Sequence, residues 1–336
     1  MDKDIIKEVL EALKPVQKNT DDFAVIRGAK FRPIKLDKRN FKEINTIKTD
    51  KKVVFIDGGN QEIISTPHLS LQFVRVYYTI YQDNRRIKSR KIEFYALITL
   101  KDNQSKQRMA EAKLFGTELF SKPLLFDLDE LDVQSNLATI GNLLRRISEM
   151  KAAAVACEDI TDSFIILDGT LFAPTKIEQE FVNGLFAAAG SNTIAAISKT
   201  SHLFTDNGLS INAAISQLSP EGCWHYFPVA DIDDQRYKAD LHIVRLNEKS
   251  SYQFIIELRK GDQPAELFSV LKDNSTDPVF LGYPYGLIEA DQFARVSNQE
   301  KDQFRTMLMA KAGKDWKRLI GSEMAINAHS ILDRIR

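Results

Sequence analysis

The 336-residue sequence contains only two cysteines, Cys157 and Cys223. They show no metal-ligand spacing and give no reason to propose a disulfide, so sulfur-ligated centres drop out and a reducing cytoplasm is the expected compartment. Neither sign of charge is in excess: 46 Lys and Arg face 46 Asp and Glu. That balance argues against a globally basic nucleic-acid binder and leaves local basic surface open. Long apolar runs are missing too. No stretch approaches the roughly 20 residues that span a bilayer, so no membrane association is expected. Repeats of solenoid period are absent, as are low-complexity linkers. What remains is an ordinary globular composition, 43% hydrophobic and 27% charged, long enough for one large domain or two smaller ones.

The N-terminus, "MDKDIIKEVLEALKPVQKN", places Ile5, Ile6, Val9, Leu10 and Leu13 on one helical face. Charges lie opposite, which marks an amphipathic helix rather than a signal peptide. Residues 53–56 form a short strand that ends in Asp57-Gly58-Gly59. Residues 71–82 and 91–100, rich in aromatic and β-branched side chains, read as a hairpin joined by a basic turn over 83–91. Residues 102–123 read as an insertion. Helical periodicity covers 132–158, with Leu137, Ile140, Leu143, Leu144 and Ile147 on one face. A strand follows at 164–167, a helix at 174–189 opening on Pro174, and a strand at 193–197. Strands at 224–229, 241–246 and 252–258 precede helices at 264–271, 287–296 and 298–318 and a helical tail to Arg336. A hairpin followed by helical crossovers implies an α/β fold with a mixed sheet and helices packed on it. The first strand and the strand after the long helix then lie side by side. Asp57 and Asp168 meet at their carboxyl ends, where open sheets place their chemistry.

Charge is distributed unevenly. Residues 27–52 hold ten Lys or Arg against three acids, and "NRRIKSRK" at 84–91 has five basic residues and no acid. Such runs are solvated loops or contacts for phosphates.

"FIILDGTLFAP", residues 164–174, is similar to the strand of haloacid-dehalogenase phosphatases, which ends in Asp-x-Asp-Gly-Thr. Ile166 stands where their nucleophilic aspartate belongs, and an apolar side chain cannot attack phosphorus. A different use of Asp168 is needed. "FIDGG" and "ILDGT" share one design of apolar strand, aspartate and glycine. Each alone is an Asp-Gly turn. Together on neighbouring strands they set two negative charges side by side, which repel unless a cation lies between them. The glycines permit close approach of a substrate. A third acid, Glu149, heads a stripe with Ala152, Ala153 and Ala156 that would let the helix sit close to the sheet; otherwise it is an ordinary exposed glutamate. A fourth, Asp291, shares a helical face with Leu287, Ile288 and Ala294, while Glu289 and Gln292 point elsewhere. A carboxylate in that stripe needs a metal or an arginine. Clustered acids without cysteine or histidine favour Mg²⁺ or Mn²⁺. Two such ions about 3.5–4 Å apart serve phosphodiester cleavage. The acids would coordinate them, and a metal-activated water would be the nucleophile.

Four acids in the order strand, helix, strand, late helix resemble the ribonuclease H-like nuclease scaffold. Within it the chain resembles the NurA nucleases, which partner the HerA hexameric translocase. The resemblance rests on "FIDGG", "ISEMKAAAVACED", "FIILDGTL" and "GYPYGLIEADQFARV" and spans roughly residues 53–296. It implies a mixed sheet flanked by helices, with additional strands and terminal helices. It also implies that Asp57, Glu149, Asp168 and Asp291 bind two Mn²⁺ or Mg²⁺ ions, although some members carry histidine at the last position. Tyr283 would shape the site or hold a phosphate, Lys199 would bind the scissile phosphate, and Glu257 would support them. The implied organisation is an N-terminal helix and basic segment for dimer or partner contacts (1–52), a nuclease domain (53–300) and a helical tail (301–336). The implied function is 5′–3′ exonuclease activity on DNA, with single-strand endonuclease activity also open. It would be exerted by a homodimer fed by a HerA-type ATPase, in end resection or phage defence. The alternative is a non-catalytic DNA-binding or scaffold subunit that regulates such an ATPase.

Overall fold

The computed structural model describes residues 3–13, 23–26, 28–101, 108–132, 137–199 and 203–316. Helix α1 (Lys3–Leu13) precedes three short strands, β1 (Ala24–Val25), β2 (Phe31–Pro33) and β3 (Phe41–Glu43). Strands β4 (Val53–Thr66), β5 (Leu69–Gln82) and β6 (Arg85–Lys101) form an antiparallel meander. It continues through β7 (Met109–Phe115) and β8 (Leu124–Asp127). Helix α2 (Ala138–Asp159) crosses over to β9 (Phe164–Asp168), and α3 (Lys176–Ala188) to β10 (Thr193–Ser198). Next come β11 (Phe204–Thr205), α4 (Ile211–Leu218), β12 (Trp224–Tyr226), β13 (Ala230–Ile232), β14 (Ala239–Arg245) and β15 (Phe254–Arg259). Helices α5 (Pro264–Asn274), α6 (Tyr285–Ala294) and α7 (Asn298–Ala312) follow.

Eleven strands make one mixed sheet in the order β3-β12-β14-β15-β10-β9-β4-β5-β6-β7-β8. Among the described residues, only the β4–β9 and β9–β10 pairs are parallel. Every residue of β5 from Phe73 to Tyr81 is buried, as expected of a strand covered on both faces. One cover is α2 with α3: Val54, Ile56, Tyr78 and Ile165 pack with Ala152, Ala153, Ala156, Val182 and Leu185. The small stripe of α2 does face the sheet. Its bulky stripe, Ile140, Leu144 and Ile147, packs on Phe94, Ile98 and Ala112 of the meander. The other cover is α5 with α6, whose Leu267, Phe268 and Leu287 pack on Val53, Phe55 and Ile166.

Several sequence expectations need correction. The first strand does not end at Ile56. It runs through Asp57-Gly58-Gly59 to Thr66, with Gly58 paired to Val76 and Gly59 to Arg75. The glycines answer to packing instead of a turn. A Cβ on Gly58 would lie 2.5 Å from Glu149 Oε1, and one on Gly59 2.3 Å from the Ala294 carbonyl oxygen. The basic run is not a turn either: Asp83 and Asn84, at φ 49° and 57°, make a two-residue hairpin turn. Arg85–Lys91 is then strand. The described part of 102–123 holds β7, a member of the main sheet. Within residues 1–52, β1, β2 and β3 pair with the late strands β11, β13 and β12. Ile5, Ile6, Val9 and Leu10 of α1 are exposed. The tail from 317 onward lies outside the described residues. Among those residues, no helix is long and apolar enough to cross a membrane.

Candidate active site

The parallel register of β4 and β9 ends with Ile56 beside Leu167. The next residue on each strand is Asp57 and Asp168, so both carboxylates leave the same face at the point where β9 stops. Asp57 Oδ1 accepts a 2.7 Å hydrogen bond from the Gly58 N–H. After Asp168 the chain turns through Gly169 at φ 109°. The Gly169 N–H donates to the Ile197 carbonyl at 2.8 Å, and its own carbonyl accepts from Ser198 Oγ at 2.7 Å. Helix α6 adds Asp291 from above the sheet. One oxygen each from Asp57, Asp168 and Asp291 lies within 4.8 Å of the others.

Lys199, just past β10, stands between two of these acids. Its Nζ is 2.5 Å from Asp168 Oδ2 and 2.7 Å from Asp291 Oδ1. Asp168 Oδ2 is otherwise without a hydrogen-bond donor. Burial raises the Asp57 pKa well above the usual carboxylate range, and the charges of Glu149 and Asp168 add to the rise. Burial also raises Asp168, against the opposing pull of Lys199. Burial works against the Lys199 ammonium, but Asp168 and Asp291 outweigh it and raise its pKa. Tyr283 is fully buried, its hydroxyl has no hydrogen-bond partner among the described residues, and Lys199 Nζ lies 5.7 Å over its ring. Burial, then the charges of Asp168, Asp57 and Asp291, keep its phenol protonated.

Glu149 is brought alongside but is already engaged. Arg145, one turn earlier on α2, donates to its carboxylate and to the Gly58 carbonyl. Burial pushes the Glu149 pKa up to about 7, with Arg145 opposing. Glu257, on β15, does not join the three acids. It accepts from Thr170 Oγ1 at 2.5 Å, Leu171 N at 2.6 Å and Phe172 N at 3.1 Å. It therefore braces the loop that follows Asp168. Arg146 holds the same loop by the carbonyls of Thr170 and Phe172. Sequence reasoning missed both arginines; the Arg145–Glu149 spacing of four on a helix was the available signal.

The reading of α6 also changes. Asp291 does not sit inside an apolar stripe: its side chain is 54% exposed, and its partner is a lysine. The buried acid is Glu289, which accepts from Tyr77 Oη at 2.9 Å, Tyr81 Oη at 2.5 Å and Arg86 at 3.1 Å. Gly286, Leu287, Ala290 and Ala294 face the sheet, leaving Asp291 on the flank toward Lys199.

Three carboxylate oxygens with no sulfur or imidazole suit a hard divalent cation. The raised carboxyls and the poorly satisfied Asp168 Oδ2 mark excess negative charge that a cation would relieve. The donor set fits.

The sequence matches no protein-family model and no curated protein. Among solved structures, the NurA nuclease from Sulfolobus solfataricus is similar over 94% of this chain and 98% of that one, at 14% identity and a TM-score of 0.50. Endonuclease V from Ciona intestinalis, in complex with inosine-containing DNA, matches 76% of this chain and 87% of its own at 9% identity, with a TM-score of 0.38. The chain therefore shares the fold of that NurA nuclease, an α/β architecture with a mixed sheet flanked by helices.

Proposed function

We propose that this chain is a divalent-metal-dependent deoxyribonuclease that hydrolyses phosphodiesters with two Mn²⁺ or Mg²⁺ ions. The carrying observation is the meeting of Asp57, Asp168 and Asp291 within 4.8 Å on a NurA fold. Bound ions would polarise the phosphodiester and supply a nucleophilic water at neutral pH. The three aspartates would hold them, with Glu149, now paired to Arg145, as a further carboxylate at their side. Lys199, relieved of Asp168 and Asp291, turns its ammonium to the scissile phosphate. The protonated Tyr283 hydroxyl donates a hydrogen bond within the same site. Glu257 keeps the loop after Asp168 in place.

The wider reading follows the fold: 5′–3′ exonuclease action in the cytoplasm by a homodimer working with a HerA-type translocase, in end resection or phage defence. Residues 53–300 would be the nuclease domain, with 1–52 and 301–336 available for dimer and partner contacts. The exposed apolar face of α1 supports such a contact.

The test is degradation of end-labelled linear DNA in Mn²⁺ or Mg²⁺, with and without a HerA-type ATPase. EDTA should stop it. Asp57→Ala and Asp168→Ala should each abolish cleavage while remaining folded; cleavage at the wild-type rate in both would sink the assignment. One observation favours the second reading, a non-catalytic DNA-binding subunit. Lys199 pairs with Asp168 and Asp291, and Arg145 with Glu149, so part of the acidic charge is met by the chain's own cations. DNA binding in EDTA, with no cleavage in any divalent metal, would establish it.

A further inference from the structure

Among the described residues, only two side chains of α6 make hydrogen bonds, Glu289 and Asp291. They stand two residues apart, which at about 100° per residue puts them on nearly opposite flanks of the helix. Asp291 reaches Lys199 and the acids. Glu289 points the other way and is 6% exposed. Its Oε1 accepts from Tyr77 Oη and Arg86 Nη1, and its Oε2 from Tyr81 Oη. Tyr77 lies across from Asp57 and Tyr81 across from Val53, so two of the donors rise from the strand beside the acids. Arg86 comes from β6 ahead of Tyr95, where β7 does not pair, a free edge of the sheet among the described residues. Burial foremost raises both phenols, so each stays a donor at neutral pH. Burial also opposes the Glu289 carboxylate, but the bonds from Tyr81, Tyr77 and Arg86 outweigh it and hold its pKa below the ordinary value. The proposed reaction makes no use of this buried acid.

The remaining contacts of α6 set its height more than its rotation. Gly286, Leu287, Ala290 and Ala294 meet the sheet through small or apolar surface, which carries no direction. The two ends are tied through backbone: the Gly286 N–H donates to Asn274 Oδ1 at 2.9 Å, and the Arg295 carbonyl accepts from Arg75 at 2.8 Å. In the middle turn, which carries Asp291, the directional tether to the sheet is Glu289. A carboxylate held by three donors favours one rotational setting. Rotation matters at this position. A side-chain tip lies about 5–6 Å from the helix axis, so a turn of about 20° moves it by about 2 Å. Metal ligands tolerate only about 0.2 Å. We propose that Glu289 is a positioning residue: clamped by Tyr77, Tyr81 and Arg86 on one flank, it fixes the rotation of α6 and with it the place of the Asp291 carboxylate beside Asp57 and Asp168. This deepens the nuclease reading, and it rests on that reading for the use of a divalent ion.

Titration of the metal-free protein with Mn²⁺, without DNA and followed by electron paramagnetic resonance of the free ion, tests the clamp. Glu289→Gln keeps the size and removes the charge, and it should weaken Mn²⁺ binding about 10- to 100-fold. The deciding readout is the cycle with Asp291→Asn. In that background Glu289→Gln should cost less than about 2-fold, because the carboxylate it positions is gone. A Glu289 that only stabilised the fold would weaken binding equally in both backgrounds. Tyr81→Phe deletes one donor and keeps its ring in the core, so it carries the test should Glu289→Gln not fold. It should show a smaller loss that also vanishes with Asp291→Asn. Equal losses in the two backgrounds would overturn the clamp. So would wild-type Mn²⁺ affinity in Glu289→Gln or, if that variant does not fold, in Tyr81→Phe. The two readings fail separately. A wild type that shows this coupling but cuts no DNA in Mn²⁺ or Mg²⁺ loses the reaction and keeps the clamp. One that cuts DNA while the variants bind Mn²⁺ normally loses the clamp alone, and one that neither binds the ion nor cuts loses both.

Discussion

Asp57 and Asp168 are held against their own chemistry. Burial raises both carboxyls, and nearby charge adds to it, from Glu149 and Asp168 on Asp57 and from Asp291 on Asp168, so without metal the folded chain takes up protons that the unfolded chain releases. The resulting destabilisation is absent below the ordinary carboxylate range and grows as pH rises toward the elevated folded values. Asp57→Asn removes the charge and keeps the shape. In EDTA it should therefore melt higher than wild type at about pH 8, and the gain should shrink toward about pH 4.5. A stabilisation of about 1 kcal/mol would read as roughly 2–4 °C by calorimetry. An equal shift at both pH values would contradict the buried-charge account. These two acids were legible in the sequence because an apolar strand interrupted by aspartate and glycine is a local pattern. Glu149 was legible as a position, but its capture by Arg145 was not, since either residue has solvent as an alternative partner.

At the scale of elements, the site depends on how closely α2 and α6 approach β4. Gly59 lies under the C-terminal end of α6, and a Cβ there would overlap the Ala294 carbonyl. Backbone cannot rotate away as a side chain does, so Gly59→Ala should lift the helix and carry Asp291 off the site. A loss of about 1–3 kcal/mol is expected in urea unfolding, together with weaker Mn²⁺ binding by calorimetric titration. A variant of unchanged stability and metal affinity would show that α6 is free to shift. Farther along the sheet, His225 of β12 and His242 of β14 face each other with Nδ1 atoms 3.4 Å apart. Burial lowers their pKa values to about 4 and about 3. The unfolded chain binds protons below the ordinary histidine value of about 6.5, and the folded chain resists. Stability should thus fall as pH drops from that value toward 4. The His225→Gln/His242→Gln variant should show a smaller difference in urea midpoint between about pH 7 and pH 5 than wild type. The β5–β6 hairpin and both helical crossovers were readable from apolar runs and helical periodicity. The extension of β4 past its glycines was not, because glycine weakens a strand locally and only the neighbours α2 and α6 require it there.

For the whole molecule, the ions proposed for catalysis should also stabilise the fold. A cation that binds only the native chain adds about 2.7 kcal/mol at a hundred times its Kd. Saturating Mn²⁺ should raise the melting temperature of wild type near neutral pH, EDTA should reverse the gain, and Asp168→Asn should abolish it. A melting temperature indifferent to metal in wild type would favour the non-catalytic subunit. The architecture makes this coupling direct, since Asp57, Asp168 and Asp291 come from three elements and an ion among them ties α6 to the sheet.

The sequence by itself determined where apolar strands meet an aspartate and a glycine, which helix has a stripe small enough to approach a sheet, and the succession of strand, hairpin, helix, strand, helix and strand that builds its centre. Those features are written in periods of two and of three to four residues and need no distant partner. Only the tertiary structure decided that Glu289 and not Asp291 is the buried acid of α6, that Lys199 sits between Asp168 and Asp291, and that the basic run is a free sheet edge. Each of these depends on which neighbours cover a face, and those neighbours lie tens to hundreds of residues away.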